Sequence, residues 1–185
     1  MLLLLAHNPG RLLPTIRSRC RTLKLKPLDK KNFTAAMRHV APAAEQLPAL
    51  AQLSGNAPGV ALELQEQGAL DTYADMLALL ASLPGLDALA LHAFAERMGG
   101  GRTGVHASWQ LLTRLLLSLL ERASLTAAGM DVEPVSDGEA RALRKLAALH
   151  PAALWAGKWQ QAMEQFSLAD ARPLDSRQVI IAFFH

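Results

Sequence analysis

The sequence predicts a mainly α-helical protein that begins with a short remnant of an α/β core. Hydrophobic residues, chiefly alanine and leucine, make up 51% of the 185 residues, and aromatic residues only 5%, a composition that favours helices over sheets. From residue 28 onward, apolar residues recur at helical spacing between proline- and glycine-rich turns. Hydrophobic residues are thus far more frequent than in disordered chains, so we expect an ordered globular protein.

Two segments near the N-terminus are typical of strands. Residues 2–6, "LLLLA", form a short apolar run that ends at "HNPG" and fits a strand buried on both faces of a parallel sheet. Residues 21–26, "RTLKLK", alternate leucine with charged or polar side chains. A buried strand needs neighbouring strands, and the sequence offers no further candidate. We therefore expect the chain to be the latter part of a longer protein.

Helices follow, each bounded by capping or turn residues. Asp29 suits the N-cap of the first, and Pro58 suits the first turn of the third. The predicted helices span residues 30–40, 43–53, 58–67, 71–82, 86–98, 105–127, 138–150, 151–166 and 176–184. The first three make a compact three-helix unit within residues 28–69. The others make an all-helical domain over residues 70–185, and residues 1–27 form a separate N-terminal part.

The helix predicted at residues 105–127 carries one narrow polar stripe, and leucines fill most of its remaining surface. The stripe consists of Gln110, Arg114, Ser118, Glu121 and Arg122. So narrow a stripe predicts a helix that is buried on most sides, within a bundle or against a partner. Trp109, Trp155 and Trp159 could form a stacking platform, but the four-residue spacing of the last two favours burial in the helical bundle.

Positive charge is concentrated near the N-terminus. Residues 1–40 hold nine lysines and arginines and one acid, a net charge of +8, whereas the rest of the chain has a net charge of −5. Residues 14–28 contain no acid and five cations, which are Arg17, Arg19, Arg21, Lys24 and Lys26. This asymmetry suggests that the N-terminal part faces an anionic partner such as a nucleotide or a nucleic acid. A solvated basic surface without a partner is the alternative.

Other motifs indicate neither an enzyme nor a metal site. The glycine cluster "MGGGRTGV" at residues 98–105 lacks the pattern of a phosphate-binding loop, so we interpret it as a connection between helices. The six histidines share no ligand spacing. The lone Cys20 is expected to be packed as a small hydrophobic side chain. We expect no independent catalytic activity, and the single cysteine and the lack of a targeting segment predict a cytoplasmic protein.

The segment "LLLLAHNPGRLLPTIRSRC" combines a strand, the polar Asn8 near its end, a short helix, and Ser-Arg-Cys ten residues after Asn8. It resembles the end of the AAA+ core in clamp-loader subunits, where the strand ends in the sensor 1 residue and Ser-Arg-Cys follows. Within that family, "RSRCR" and the "PL" after the second strand are most similar to delta prime subunits of bacterial DNA polymerase III. "LSGNAPGVALELQ" resembles the sensor 2 segment of the helical lid, and "PLDSRQVIIAFF" with the tryptophans resembles the last collar helices. The resemblance covers nearly the whole chain.

The resemblance divides the chain into the end of an AAA+ core (1–27), a lid (28–69) and a helical collar for oligomerisation (70–185). It implies that Arg19 is an arginine finger that acts in trans on the ATP of a neighbouring subunit, with Ser18 beside it. Asn8 falls at the sensor 1 position, where its nucleotide-binding role would be vestigial. Arg17 and Arg21 would either support a phosphate or DNA contact or lie in solvent.

The lid segment departs from the family pattern at Val60, where sensor 2 usually supplies an arginine. Valine cannot contact a phosphate, so the resemblance implies a subunit that does not hydrolyse ATP. ATP and magnesium would be bound at the neighbouring subunit, and no cofactor by this chain alone. The implied partners are the ATPase and delta subunits through the collar, and indirectly the sliding clamp and primed DNA; no membrane is implied.

Two alternatives stay open. A fragment of the clamp-loader ATPase subunit would share these motifs, although Val60 counts against it. A stand-alone helical adaptor, whose basic N-terminal part binds nucleic acid directly, would show salt-sensitive DNA binding by this chain alone. The clamp-loader interpretation predicts weak DNA binding until the other subunits are present.

Overall fold

The computed structural model describes residues 3–6, 10, 12–83, 85–99, 105–171 and 176–184. Within these ranges the secondary structure is helical, which confirms the prediction of a mainly α protein. The helices are α1 (Pro14–Arg17), α2 (Lys30–Val40), α3 (Leu47–Ser54), α4 (Pro58–Glu66), α5 (Ala69–Ala81), α6 (Ala88–Gly99), α7 (Val105–Ala127), α8 (Asp137–Leu149), α9 (Ala152–Ala171) and α10 (Ser176–Phe184). In this described part of the chain, no helix has both the length and the apolarity needed to cross a membrane.

Local sequence signals explain where the first long helices begin. The Asp29 side chain caps α2 by accepting a hydrogen bond from the backbone N–H of Asn32 at 2.8 Å. α3 begins four residues later than predicted, because Pro48 suits a first helical turn and disfavours helical backbone before it. Gln46, just before α3, has a left-handed φ of 51°.

α7 lies at the centre of the bundle. It packs against α5, α6, α8 and α9, and its most extensive contact is with α9. Its buried apolar side chains are Trp109, Leu111, Leu112, Leu115, Leu116, Leu119, Leu120 and Ala123. The helix is therefore enclosed on most sides, as its narrow polar stripe predicted. α10 packs against α6 and α9 and completes the bundle.

α2, α3 and α4 pack against one another as the three-helix unit, and α4 also contacts α5 of the bundle. Phe33 and Met37 of α2, Leu50 of α3 and Leu64 of α4 have no exposed surface. These side chains belong to the same buried cluster as the leucines of α7. A continuous apolar core therefore runs from the three-helix unit into the bundle.

Two of the tryptophans are buried and the third is partly buried, which agrees with the predicted burial in the helical bundle. Trp109 and Trp155 are buried, and the partly buried Trp159 packs against the core. The ring of Trp109 meets that of Phe166 edge-on, with centroids 5.1 Å apart. The Trp155 Nε1 donates a hydrogen bond to the Leu146 carbonyl at 3.1 Å. These rings stabilise the bundle and do not form a stacking platform.

The prediction of two strands is wrong for the residues that the structure describes. Residues 3–6 have no regular structure, and Leu3 and Leu5 are 81% and 92% exposed. Residues 21–26 are irregular as well, with Leu23 83% exposed. A strand requires a hydrogen-bonded neighbour, and neither segment has one here.

Candidate functional site

The predicted finger residue, Arg19, follows directly after α1. The backbone N–H of Ser18 donates to the Pro14 carbonyl at 2.9 Å. That of Arg19 donates to the Ile16 carbonyl at 3.1 Å, so both residues continue the last turn of the helix. The Ser18 hydroxyl donates to the Thr15 carbonyl at 3.2 Å. The end of α1 thus fixes the local backbone, and Arg19 itself is exposed.

Residues 14–28, called the basic segment below, carry five cations that form no ion pair with any residue that the structure describes. All five are exposed. The ion pairs found among the described residues involve other cations, namely Lys30, Arg97, Arg114, Arg122 and Arg177. Because the segment also contains no acid, its guanidinium and ammonium groups are accessible to an anionic ligand.

The basic segment is attached to the three-helix unit at its C-terminal end. The backbone N–H of Leu28 donates to the Asn56 carbonyl at 3.3 Å, and the Leu28 side chain packs against the core. Asp29 caps α2 immediately afterwards. Residues 18–27, in contrast, are exposed along their whole length. The three-helix unit therefore holds the C-terminal end of the basic segment at Leu28, whereas residues 18–27 do not pack against the core.

Three other predicted positions have different outcomes. The prediction that Cys20 is packed is wrong, because Cys20 is exposed and no sheet forms over it in the described residues. Val60 lies on α4, partly buried, and packs against the apolar core. Asn8 and the glycines at residues 100–101 lie outside the described residues, so their predicted roles stay predictions.

An ionic centre that the sequence interpretation missed lies where α5, α7 and α8 meet. Glu139, which has no exposed surface, accepts hydrogen bonds from Nε of Arg122 at 2.6 Å and from Nη2 at 2.9 Å. It also accepts hydrogen bonds from the Tyr73 hydroxyl and the Val135 backbone N–H. Donors from three other residues thus satisfy one carboxylate in apolar surroundings. We call Tyr73, Arg122 and Glu139 the buried ionic centre.

The buried ionic centre shifts the pKa values of two of its members. Burial raises the pKa of the Tyr73 hydroxyl far above its usual range, and the charge and hydrogen bond of Glu139 raise it further. Burial alone would lower the pKa of Arg122, but the hydrogen bond and charge of Glu139 outweigh burial, so this pKa is raised. At neutral pH the Tyr73 hydroxyl therefore stays protonated and can donate, and Arg122 stays cationic. The Glu139 carboxylate already accepts hydrogen bonds from Tyr73, Arg122 and Val135. The buried ionic centre therefore joins three helices and is not arranged to bind a ligand.

Glu133 connects the buried ionic centre to the three-helix unit. Its backbone carbonyl accepts a hydrogen bond from Nη2 of Arg122 at 2.6 Å. Its carboxylate forms an exposed ion pair with Lys30 at the start of α2, and this hydrogen bond lowers the pKa of Glu133. A second connection pairs Arg114 of α7 with Glu63 of α4 at 3.5 Å. These contacts supplement the apolar core that the two parts share.

One sequence signal could have revealed half of this centre. The residues "SDGE" at 136–139 match the sequence pattern of a capping box, and Ser136 accepts a hydrogen bond from the Glu139 N–H at 3.2 Å. The Glu139 carboxylate turns back to the N–H of Val135. Arg122, which was predicted to lie in the polar stripe of α7, has a side chain that is only 12% exposed and pairs with Glu139. Nothing in the spacing of Arg122 indicates this pairing.

Comparisons with known proteins add no identification. No protein family, curated protein or solved structure matches the chain. Across the described ranges, no group of three or more histidine, cysteine or acidic side chains is arranged to hold a metal ion. A function therefore has to be argued from the basic segment and from the helices that carry it.

Proposed function

We propose that the chain is part of a clamp-loader subunit of the delta prime type, in the bacterial DNA polymerase III holoenzyme. In this role residues 1–27 end an AAA+ core, residues 28–69 are the lid, and residues 70–185 are the collar that assembles with the ATPase and delta subunits. The subunit does not hydrolyse ATP. It donates Arg19 in trans to the ATP and magnesium of its neighbour and helps to load the sliding clamp on primed DNA in the cytoplasm.

The observation that carries this proposal is the exposed Arg19 at the end of α1. A guanidinium that reaches a phosphate on another subunit must not be held in an ion pair within its own subunit. Arg19 forms no ion pair with the described residues. Arginine presents parallel N–H donors that fit phosphate oxygens. Fingers supplied in trans accelerate phosphoryl transfer by roughly 10³- to 10⁵-fold, because they stabilise the charge of the transition state.

The residue at the lid position supports a subunit that does not hydrolyse ATP. Val60 packs partly buried against the core of the three-helix unit. An aliphatic side chain in such packing offers no donor to a phosphate. This favours a delta prime subunit over a fragment of the ATPase subunit, whose lid would need a cation at this place.

Reconstitution with the ATPase and delta subunits of a bacterial clamp loader tests the proposal. Native mass spectrometry measures incorporation, and DNA-stimulated ATP hydrolysis measures function, for the chain and for Arg19→Ala. Arg38→Ala is the matched control, because Arg38 is an exposed cation on α2, outside the basic segment. We expect both variants to incorporate, and hydrolysis to fall by roughly tenfold or more with Arg19→Ala only. Failure to incorporate, or equal activity of the two variants, would contradict the proposal.

A second candidate is a helical adaptor that binds nucleic acid directly through the basic segment. Its five exposed cations, with no acid among them, favour this function. Each phosphate that the segment neutralises would add about −0.9 to the slope of log affinity against log salt on double-stranded DNA. Fluorescence anisotropy of labelled primed DNA separates the candidates. Salt-sensitive binding by the isolated chain supports the adaptor, and weak binding until partner subunits are added supports the clamp loader.

A further inference from the structure

A cavity of about 210 Å³ lies where α5, α7, α8 and α9 converge, away from the basic segment. Nine of its eleven lining residues are apolar, and seven of these are leucines. The other two are His150 and Lys158, and the lining contains no acid. Leu119 and Leu146 are buried, whereas His150 is exposed and Lys158 is partly exposed. His150 and Lys158 therefore lie toward solvent together with Leu154, which is 39% exposed, and the buried leucines form the interior.

Trp155 gives the cavity a fixed wall. Its Nε1 donates a hydrogen bond to the Leu146 carbonyl at 3.1 Å. Its ring also meets that of His150 edge-on, with centroids 5.7 Å apart. Both contacts hold the indole in place, so it does not turn inward to fill the space. A cavity whose walls do not collapse keeps its volume for another molecule.

The lining favours an apolar occupant over water. A buried water needs about two to four polar partners, which walls of leucine do not supply. An enclosed apolar cavity of about 150 Å³ accepts a molecule of the size of benzene, and this one is in addition partly open to solvent. On that scale, this larger cavity has room for roughly eight carbon atoms.

Lys158 favours an occupant that carries a negative charge. It lies one turn after Leu154 on α9, so its methylene stem can cover apolar lining while its ammonium stays in solvent. Lys158 forms no ion pair within the part of the chain that the structure describes. A carboxylate at the open side of the cavity would meet this cation without repulsion from any lining residue.

We infer that the cavity binds a small amphipathic carboxylate. Its tail of about eight carbons enters among the leucines, and its carboxylate pairs with Lys158. This binding site is separate from the basic segment, and it does not depend on the proposed clamp-loader function.

Isothermal titration calorimetry of the full chain with octanoate, octanol and acetate tests the inference. We expect saturable binding of octanoate, weaker binding of octanol, and none of acetate, which has the carboxylate without the tail. Lys158→Gln should weaken octanoate binding by roughly two- to fivefold, as expected for a partly exposed ion pair. The same variant should leave the binding of octanol unchanged.

A blocking variant tests whether the ligand occupies this cavity. Leu83→Trp should abolish binding of both ligands, and Leu80→Trp serves if the first variant does not fold by circular dichroism. Ala74→Leu is the matched control, because Ala74 lines a different groove, between α5 and α8. Absence of saturable octanoate binding, or binding that persists in a folded blocking variant, would overturn the inference. Equal loss of octanoate and octanol with Lys158→Gln would overturn the pairing of the carboxylate with Lys158.

Discussion

Replacing Arg122 by methionine tests how much the buried ionic centre contributes to stability. Methionine preserves much of the apolar stem of arginine and removes its charge and its donors. Glu139, which has no exposed surface, then keeps only the hydrogen bonds from Tyr73 and Val135. We expect the free energy of unfolding to fall by about 3–5 kcal/mol, which is the usual effect of removing one partner of a buried ion pair.

This loss is large relative to the stability of a domain. Natural domains unfold with a free energy of about 5–15 kcal/mol. For a chain of this size, each kcal/mol shifts the melting temperature by about 2–4 °C, so Arg122→Met should lower it by roughly 6–20 °C. Urea unfolding followed by circular dichroism gives the free energy directly, provided that the slope of the transition does not change.

Arg114→Met is the matched control for Arg122→Met. Arg114 lies on the same helix, about two turns earlier, and forms an exposed ion pair with Glu63 at 3.5 Å. Its replacement should change stability by only about 0–1 kcal/mol. Adding Glu139→Gln to Arg122→Met should recover part of the loss, because no unpaired charge is then buried. A loss for Arg122→Met no larger than for Arg114→Met would refute this reasoning.

Three further predictions concern local features. Tyr73 is the single tyrosine, and burial raises its pKa, so ultraviolet titration should show tyrosinate only on unfolding. The free energy of unfolding should fall above pH 10.0, where Tyr73 loses its proton in the unfolded chain but keeps it in the folded chain. A folded protein whose tyrosine loses its proton near pH 10.0 would contradict this. Ser136→Ala removes the cap of α8 and should lower the free energy of urea unfolding by about 1 kcal/mol, and an unchanged value would contradict it. Gly68→Ala should destabilise by about 1 kcal/mol, because Gly68 has a φ of 66°. Gly59→Ala in α4, where the added Cβ meets open space, should raise the free energy of unfolding by roughly 0.5 kcal/mol. Melting temperatures that shift in the same direction for Gly68→Ala and Gly59→Ala would contradict these two predictions.

Helices were predictable because their signals are local. The leucines of α7 repeat at helical spacing, and its predicted range of residues 105–127 matches the structure. The cap at Asp29 and the proline at residue 58 likewise act within one turn of chain. Such signals do not depend on what the helix packs against, so they can be recognised in a single sequence.

The features that sequence reasoning missed depend on contacts between distant residues. Arg122 and Glu139 are seventeen residues apart, and Tyr73 is sixty-six residues from Glu139. Spacing along one helix cannot show that these side chains meet. The predicted strand at residues 2–6 failed for the related reason that pairing needs a second strand. The apolar run favours a strand, but the described part of the chain provides no second strand to pair with it.

The candidate site was predictable only as a motif. Ser-Arg-Cys at residues 18–20 and the surrounding cations are visible in the sequence, and the structure adds that they are exposed and that Arg19 follows a helix end. Whether the Arg19 guanidinium forms an ion pair depends on the whole fold, because an acid from a distant helix could have paired with it. In the structure, Glu133 and Glu63 form ion pairs with Lys30 and Arg114 instead.

The exposure of the basic segment sets a condition on the proposed function. A finger works through donors that are held in place before the reaction, yet residues 20–27, which join Arg19 to the three-helix unit, are exposed and form no helix. Ordering these eight residues costs roughly 8–16 kcal/mol of backbone entropy. Burying Leu23 and Leu25, now 83% and 82% exposed, would return only about 3–6 kcal/mol. If the proposed function holds, backbone pairing and phosphate contacts with a neighbouring protein provide the rest. Assembly through the bundle and positioning of Arg19 are then separate steps, which native mass spectrometry and ATP hydrolysis measure independently.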